Sequence, residues 1–224
     1  MIEEKQMQIA IDGPAGAGKS TIAKIIAEKL GILYLDTGAM YRAVTLGVIE
    51  NGIDFSSIEA VAHFAETAQI CFSEKKVFLN NEDVTEAIRS AEVSAGTSLV
   101  ASNALVRAIL VKRQQEIAGE QSVIMDGRDI GSVVLPKADF KFYLDASIEE
   151  RAKRRYDEMV AKGDFSDTLE TIEAAIRQRD YNDRHRKEGP LVCTEDAIVV
   201  DTTGKSIESV VEELLKYIKG GFAQ

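Results

Sequence analysis

The sequence predicts an α/β chain in which one largely parallel sheet is wound with helices. Two observations predict it. Short apolar runs of strand length alternate with helical periodicity over the whole length, and the first run passes through a glycine-rich loop straight into a helix. A third observation qualifies the picture: residues 69–80 read as a hairpin, which has no place in a purely parallel sheet.

Taken in order, residues 8–12 (QIAID) form a short apolar strand. Between 19 and 30, Ile22, Ile25, Ile26 and Leu30 recur at helical spacing, and Gly31 supplies the stop signal. A second apolar run follows at 32–35. LDTGAMYR, 35–42, then opens a helix with Asp36 or Thr37 at its N-cap and Arg42 in the first turn or so. Within the hairpin, 70–72 and 77–79 are the strands and 73–76 the polar turn, part of a small insertion beside the main core. Buried strands are expected again at 122–125, 140–144 and 197–200. The last helix carries Ile207, Val210, Val211, Leu214, Leu215 and Ile218 on one stripe.

Composition narrows the function classes. A length of 224 residues suits one α/β domain, and 45% hydrophobic with 29% charged residues describes an ordinary soluble protein with a real core. Three prolines, Pro14, Pro136 and Pro190, leave no Pro-rich linker to mark a seam. The net charge of −10 repels a phosphate backbone, so no nucleic acid partner is expected and any anionic substrate needs a local cluster of Arg and Lys. Cys71 and Cys193 lack CxxC spacing and read as reduced core thiols; His63 and His185 are too few for a metal site. No basic stretch followed by an apolar run opens the chain, and no segment approaches the ~20 apolar residues of a membrane span. A soluble, cytoplasmic protein with no membrane partner is expected.

Residues 13–20, GPAGAGKS, match G-x-x-x-x-G-K-[ST], with a strand before and a helix after. Gly13, Gly16 and Gly18 let the backbone turn tightly and aim its N–H groups inward at an anion. The helix start adds the positive end of its dipole. Lys19 supplies a cation for β- and γ-phosphates, and the Ser20 hydroxyl can ligate Mg²⁺. The loop is suited to a nucleoside triphosphate. By itself it does not distinguish a small-molecule kinase from a motor or a switch.

The second half of the chain bears on that choice. A helix over 167–187 has an apolar stripe, Leu169, Ile172, Ile176, whose continuation is Arg179, Asp183 and Arg186, while Arg177 and Arg184 fall toward solvent. A solvated helix end with i,i+4 ion pairs is the competing reading, but the registry with the apolar stripe favours a site. Arginine forks suit anionic oxygens, and a carboxylate between them can accept from ribose hydroxyls. In VIMDGRDIG, 123–131, the strand ends at Asp126, where a carboxylate can hold Mg²⁺ through water. Arg128 and Asp129 follow in a tight turn allowed by Gly127. Arg151, Lys153, Arg154 and Arg155 read equally as a mobile phosphate cover or a solvated face.

GPAGAGKST, YLDTGAMYR, DGRDIG and IRQRDYNDRHR together resemble the bacterial cytidylate kinases, from about residue 8 to the last helix and including EDVTEAIRS. The resemblance implies a three-layer P-loop fold with a five-stranded parallel sheet in a single domain, 1–224. It also implies a small β-containing insertion that binds the nucleoside monophosphate at about 62–92, and a short lid at about 154–168. The implied reaction is direct in-line transfer of the γ-phosphoryl of ATP to CMP and dCMP, with Mg²⁺ as cofactor, by a cytoplasmic monomer whose partners are ATP and CMP or dCMP. Gly13, Pro14, Ala15, Gly16, Ala17, Gly18, Lys19, Ser20 and Thr21 would hold ATP, with Arg154 closing from the lid; Ser20 and Asp126 would hold the metal. Ser98 and Arg107 would join Asp129 in reading cytosine, Arg179 and Asp183 would hold the ribose, and Arg42, Arg128 and Arg186 would grip the acceptor phosphate. Lys19, Arg128 and Arg186 would be the catalytic group. Thr37 stands where many relatives carry Ser and keeps the hydroxyl. The base reading is chemically sound, since a carboxylate can accept from the cytosine amine, whereas uracil would present a carbonyl there. Another small-molecule P-loop kinase, acting on UMP or a non-nucleotide acceptor, or a nucleotide-dependent binding module, are the rival readings.

Overall fold

A computed structural model describes residues 6–73, 76–161, 163 and 165–221. Part of the expected turn at 73–76 and part of the expected lid at 154–168 lie outside the described residues. The chain forms two compact units: one takes the described residues up to 34 together with 121–185 and those from 189 on, the other takes 35–120 with 186–188.

In chain order, β1 (Gln8–Asp12) leads through the glycine loop to α1 (Lys19–Leu30) and β2 (Leu33–Asp36). Then come α2 (Thr37–Glu50), α3 (Ile58–Thr67), β3 (Ile70–Ser73), β4 (Lys76–Leu79), β5 (Glu82–Asp83), α4 (Ala91–Ser102) and α5 (Ala104–Glu120). The chain returns with β6 (Val123–Gly127), β7 (Phe140–Asp145), α6 (Ile148–Ala161), α7 (Leu169–His185), β8 (Ile198–Asp201) and α8 (Ile207–Gly221).

The first unit is organised by a five-stranded sheet in the order β2-β6-β1-β7-β8. β1 is central and parallel to both neighbours, with Ile11 opposite Asp126 and Phe142. A strand covered on both faces must be apolar on both, and Ile9, Ala10 and Ile11 are all fully buried. Ile22 and Ile26 of α1 and Val210, Val211, Leu214 and Ile218 of α8 pack with Ile124, Phe142, Leu144 and Val200 into the core of this unit. The expected stripe of α8 is therefore the inward one, with Leu215 half-buried against the core and Ile207 exposed at its start. Because the strands are parallel, Asp12, Asp126 and Asp145 arrive at the same, carboxyl-end edge, where the loops of an open α/β sheet carry ligands.

In the second unit, Ala39, Ala43 and Leu46 of α2 share a core with Val77, Leu79, Val84, Ile88 and Val93. The expected hairpin is present, with β3 antiparallel to β4 and Ile70 opposite Leu79. A third short strand, β5, follows on β4, a pairing too brief to leave a hydrophobic pattern. The expectation of buried thiols is corrected: Cys71 and Cys193 are free but exposed. Cys71 falls on the outward phase of β3, and Cys193 lies in the segment between α7 and β8. Among the described residues, no single helix is long and apolar enough to cross a membrane.

Candidate active site

The loop between β1 and α1 turns on glycines in the left-handed region, Gly16 at φ 80° and Gly18 at φ 86°. Gly13 has a second reason to be glycine: a Cβ there would collide with the Leu144 carbonyl oxygen of β7. Lys19, 6% exposed, folds back so that its Nζ donates to the Pro14 carbonyl at 2.7 Å. Burial first, and then the neighbouring Arg128 guanidinium, pull its ammonium down to about 7; Arg179 adds to that pull, while Asp126 and Asp12 oppose it. Ser20 Oγ donates to Asp126 Oδ2 at 2.8 Å, and Tyr34 donates its hydroxyl to Asp126 Oδ1 at 2.7 Å.

One hydroxyl beside one buried carboxylate is a hard-oxygen pair. Among the described residues no group of three His, Cys, Asp or Glu could hold a metal ion. Such a pair fits Mg²⁺, which keeps its waters and takes phosphate oxygens instead of filling an all-protein cage.

Past β6, Arg128 Nε donates to Asp183 Oδ2 of α7 at 2.7 Å, so two of the expected site residues are directly paired. Asp129 is buried and leads into a π-helical turn, Ile130–Val134. That turn is held by a residue the sequence reading passed over. Asp12 Oδ1 accepts from the Ile130 N–H at 2.8 Å, and Oδ2 accepts from the Gly131 N–H at 2.7 Å. Burial outweighs those two bonds and raises the Asp12 carboxyl to about 6. The available signal was a carboxylate closing an otherwise apolar strand.

On α7, Ile172, Ile176 and Asp183 are buried, Arg179 is half-buried, and Arg177 and Arg184 are exposed, which is the register the apolar stripe requires, although Leu169, expected to begin that stripe, is exposed. The helix is shorter than expected at both ends. It ends at His185, so Arg186 stands one residue beyond it, grouped with the second unit, and its direction is not set by the helical stripe. Asp180, not singled out by the sequence, is also buried and accepts from Arg151 Nη2 at 2.7 Å. Of the four cations on α6, Arg151 is buried, Lys153 and Arg155 are exposed, and Arg154 is half-buried. Arg154 Nη2 donates to the Thr202 carbonyl at 2.7 Å, Nη1 to Thr202 Oγ1 at 3.2 Å, and Nε to Glu150 at 3.0 Å.

In the second unit, Asp36 caps α2 by accepting from the Ala39 N–H at 2.8 Å, and its other oxygen accepts from Arg42 Nη2 at 3.0 Å. Thr37, the first helical residue, is buried. Arg107 of α5 is buried, donates to the Ala101 carbonyl and lies 5.6 Å from the centre of the Tyr41 ring. Ser98 is half-buried on α4.

A strand, a glycine loop closed by Lys-Ser at a helix start, and a carboxylate on the adjacent strand bonded to that Ser define a P-loop nucleotide-binding protein. The chain belongs to the cytidylate kinase family, whose model matches residues 9–220. It is 54% identical over 220 residues to a cytidylate kinase from Leuconostoc mesenteroides, covering 96% of this chain and 98% of that protein. It is 51% identical to one from Clostridioides difficile, covering 94% and 97%. Among solved structures, a shikimate kinase from Acinetobacter baumannii matches at TM-score 0.50 and 16% identity, covering 97% of this chain and 95% of that one. An uncharacterised protein from Eubacterium ventriosum matches at TM-score 0.55 and 12% identity, covering 96% and 99%. At such identities these two show the fold alone.

Proposed function

We propose that this chain transfers the γ-phosphoryl group of ATP to CMP and dCMP, giving ADP with CDP or dCDP. The observation that carries the reading is electrostatic. Lys19 of the phosphate loop feels the guanidinium groups of both Arg128 and Arg179, which supports a second group of cations near the donor loop. A nucleotide switch has no need of that second cluster.

Phosphoryl transfer gains mainly from positioning and charge neutralisation, with no covalent enzyme intermediate. The backbone of 13–20 would cradle the donor phosphates, with Lys19 neutralising charge on the transferred group. Arg128, Arg42 and Arg186 would hold the acceptor phosphate, and Arg179 and Asp183 the ribose. Asp129, Arg107 and Ser98 would read the cytosine edge. Ser20 and Asp126 would hold Mg²⁺, which supplies further neutralisation of phosphate charge when bound. A cytoplasmic monomer is the form we propose.

The test is ADP release with CMP, dCMP, UMP and AMP as acceptors, with mass detection of the product. CMP and dCMP should be turned over and CDP found; strong preference for UMP or AMP, or no phosphorylated product, would refute the reading. Arg128→Ala should lower kcat by roughly 10²-fold or more while ATP still binds, because in this reading its guanidinium would neutralise charge on the acceptor phosphate during transfer. Wild-type turnover in that variant would remove Arg128 from the acceptor site.

A further inference from the structure

Arg151 lies on α6 and is only 2% exposed. Its Nε donates to the Ala146 carbonyl at 2.9 Å, its Nη1 to the Ala15 carbonyl in the phosphate loop at 3.1 Å, and its Nη2 to Asp180 Oδ2 at 2.7 Å. The stem of the side chain presses on the same loop: a Cβ added at Gly16 would lie 3.1 Å from the Cβ of Arg151. Asp180, 6% exposed, is the residue next to Arg179 and three before Asp183 on α7. One guanidinium therefore spans from the loop expected to carry the donor phosphates to the helix expected to carry the acceptor's ribose.

We propose that Arg151 and Asp180 are a positioning pair that fixes the phosphate loop against α7, setting the line between donor phosphate and acceptor. Neither residue touches substrate. The inference rests on the phosphoryl-transfer reading and deepens it. A buried ion pair is a poor device for stability alone, because well-packed apolar residues commonly do as well. What the pair adds is direction. A planar fork bonded at three points holds its neighbours at fixed distances, which a flexible ammonium cannot do. In-line transfer is sensitive to such distances; an error on the order of 1 Å costs about 10²-fold in rate.

The test compares wild type, Arg151→Lys, Arg151→Met and the double variant Arg151→Met/Asp180→Leu, by steady-state kinetics with ATP and CMP and by urea unfolding. Arg151→Met should lose stability by stranding a buried carboxylate, and the double variant should regain much of it. Stability and catalysis should then part: kcat in the double variant stays about 10–100-fold below wild type, with KM for both nucleotides little changed. Arg151→Lys, which keeps the charge opposite Asp180 but not the fork, should show the same loss of kcat in a folded protein. A kcat that returns with stability in the double variant, or a wild-type kcat in Arg151→Lys, would overturn the proposal; should the double variant fail to fold, Arg151→Lys decides alone. Wild-type protein that makes no CDP would instead refute the kinase reading beneath it.

Discussion

Replacing Asp12 with asparagine should change the pH dependence of stability in a direction opposite to that of most carboxylates. Asp12 is 5% exposed, and its carboxyl is raised from an ordinary 3.8 to about 6. Between those values the folded protein binds a proton that the unfolded chain has released, so stability falls as pH rises. The full displacement corresponds to about 3 kcal/mol, of which about 2–3 kcal/mol is lost between pH 4 and pH 7.5. The side-chain amide of the Asp12→Asn variant does not titrate. It would keep one acceptor for the N–H groups of Ile130 and Gly131 and leave the other unmatched, a fixed cost of about 1–3 kcal/mol. The difference in unfolding free energy, variant minus wild type, should therefore climb by about 2–3 kcal/mol from pH 4 to pH 7.5 as the wild type alone gives up its contribution. Urea unfolding at several pH values measures it. A difference that stays flat would show that the Asp12 carboxyl is not raised. One that falls would show that the two backbone bonds outweigh its burial.

Two further outcomes follow from the loop. Lys19 titrates near 7 in the free protein, and anionic phosphates will raise that value, so ATP binding at pH 8 should take up a proton and affinity should weaken as pH rises above about 7. Calorimetry in buffers of different ionisation enthalpy detects the uptake, and an enthalpy independent of buffer refutes it. Gly13→Ala should cost about 4 kcal/mol or more in thermal unfolding, because its Cβ meets the carbonyl of a core strand. Gly204→Ala, where the same addition meets open space at φ 65°, should cost only about 1–2 kcal/mol.

What the sequence made legible was local. α1 runs from Lys19 to Leu30, as its isoleucine spacing and Gly31 require, and residues 8–12 form β1. The loop was readable because its chemistry is packed into eight consecutive residues. The register of α7 was readable because Ile172 and Ile176 fix which side is inward, and that side delivers Arg179 and Asp183. Its end was not, since Arg186 lies one residue beyond the last turn that the chain forms. Arg151 was hidden for a different reason. It stands in a run of cations, and the carboxylate that buries it is 29 residues away on another helix. Asp12 was hidden likewise, its two donors lying 118 and 119 residues downstream. Periodicity reports which side of an element is apolar; it carries no information about which buried charges will find each other across the fold.

Arg128 is paired with Asp183 in the first unit and Arg42 with Asp36 in the second, so each guanidinium already holds one carboxylate, although the buried Nε of Arg42 has no hydrogen-bond partner among the described residues. A guanidinium carries five N–H donors, so a single carboxylate orients the fork without using it up. Each standing carboxylate thus holds the plane of its arginine fixed in advance, at the cost of one of that arginine's donors.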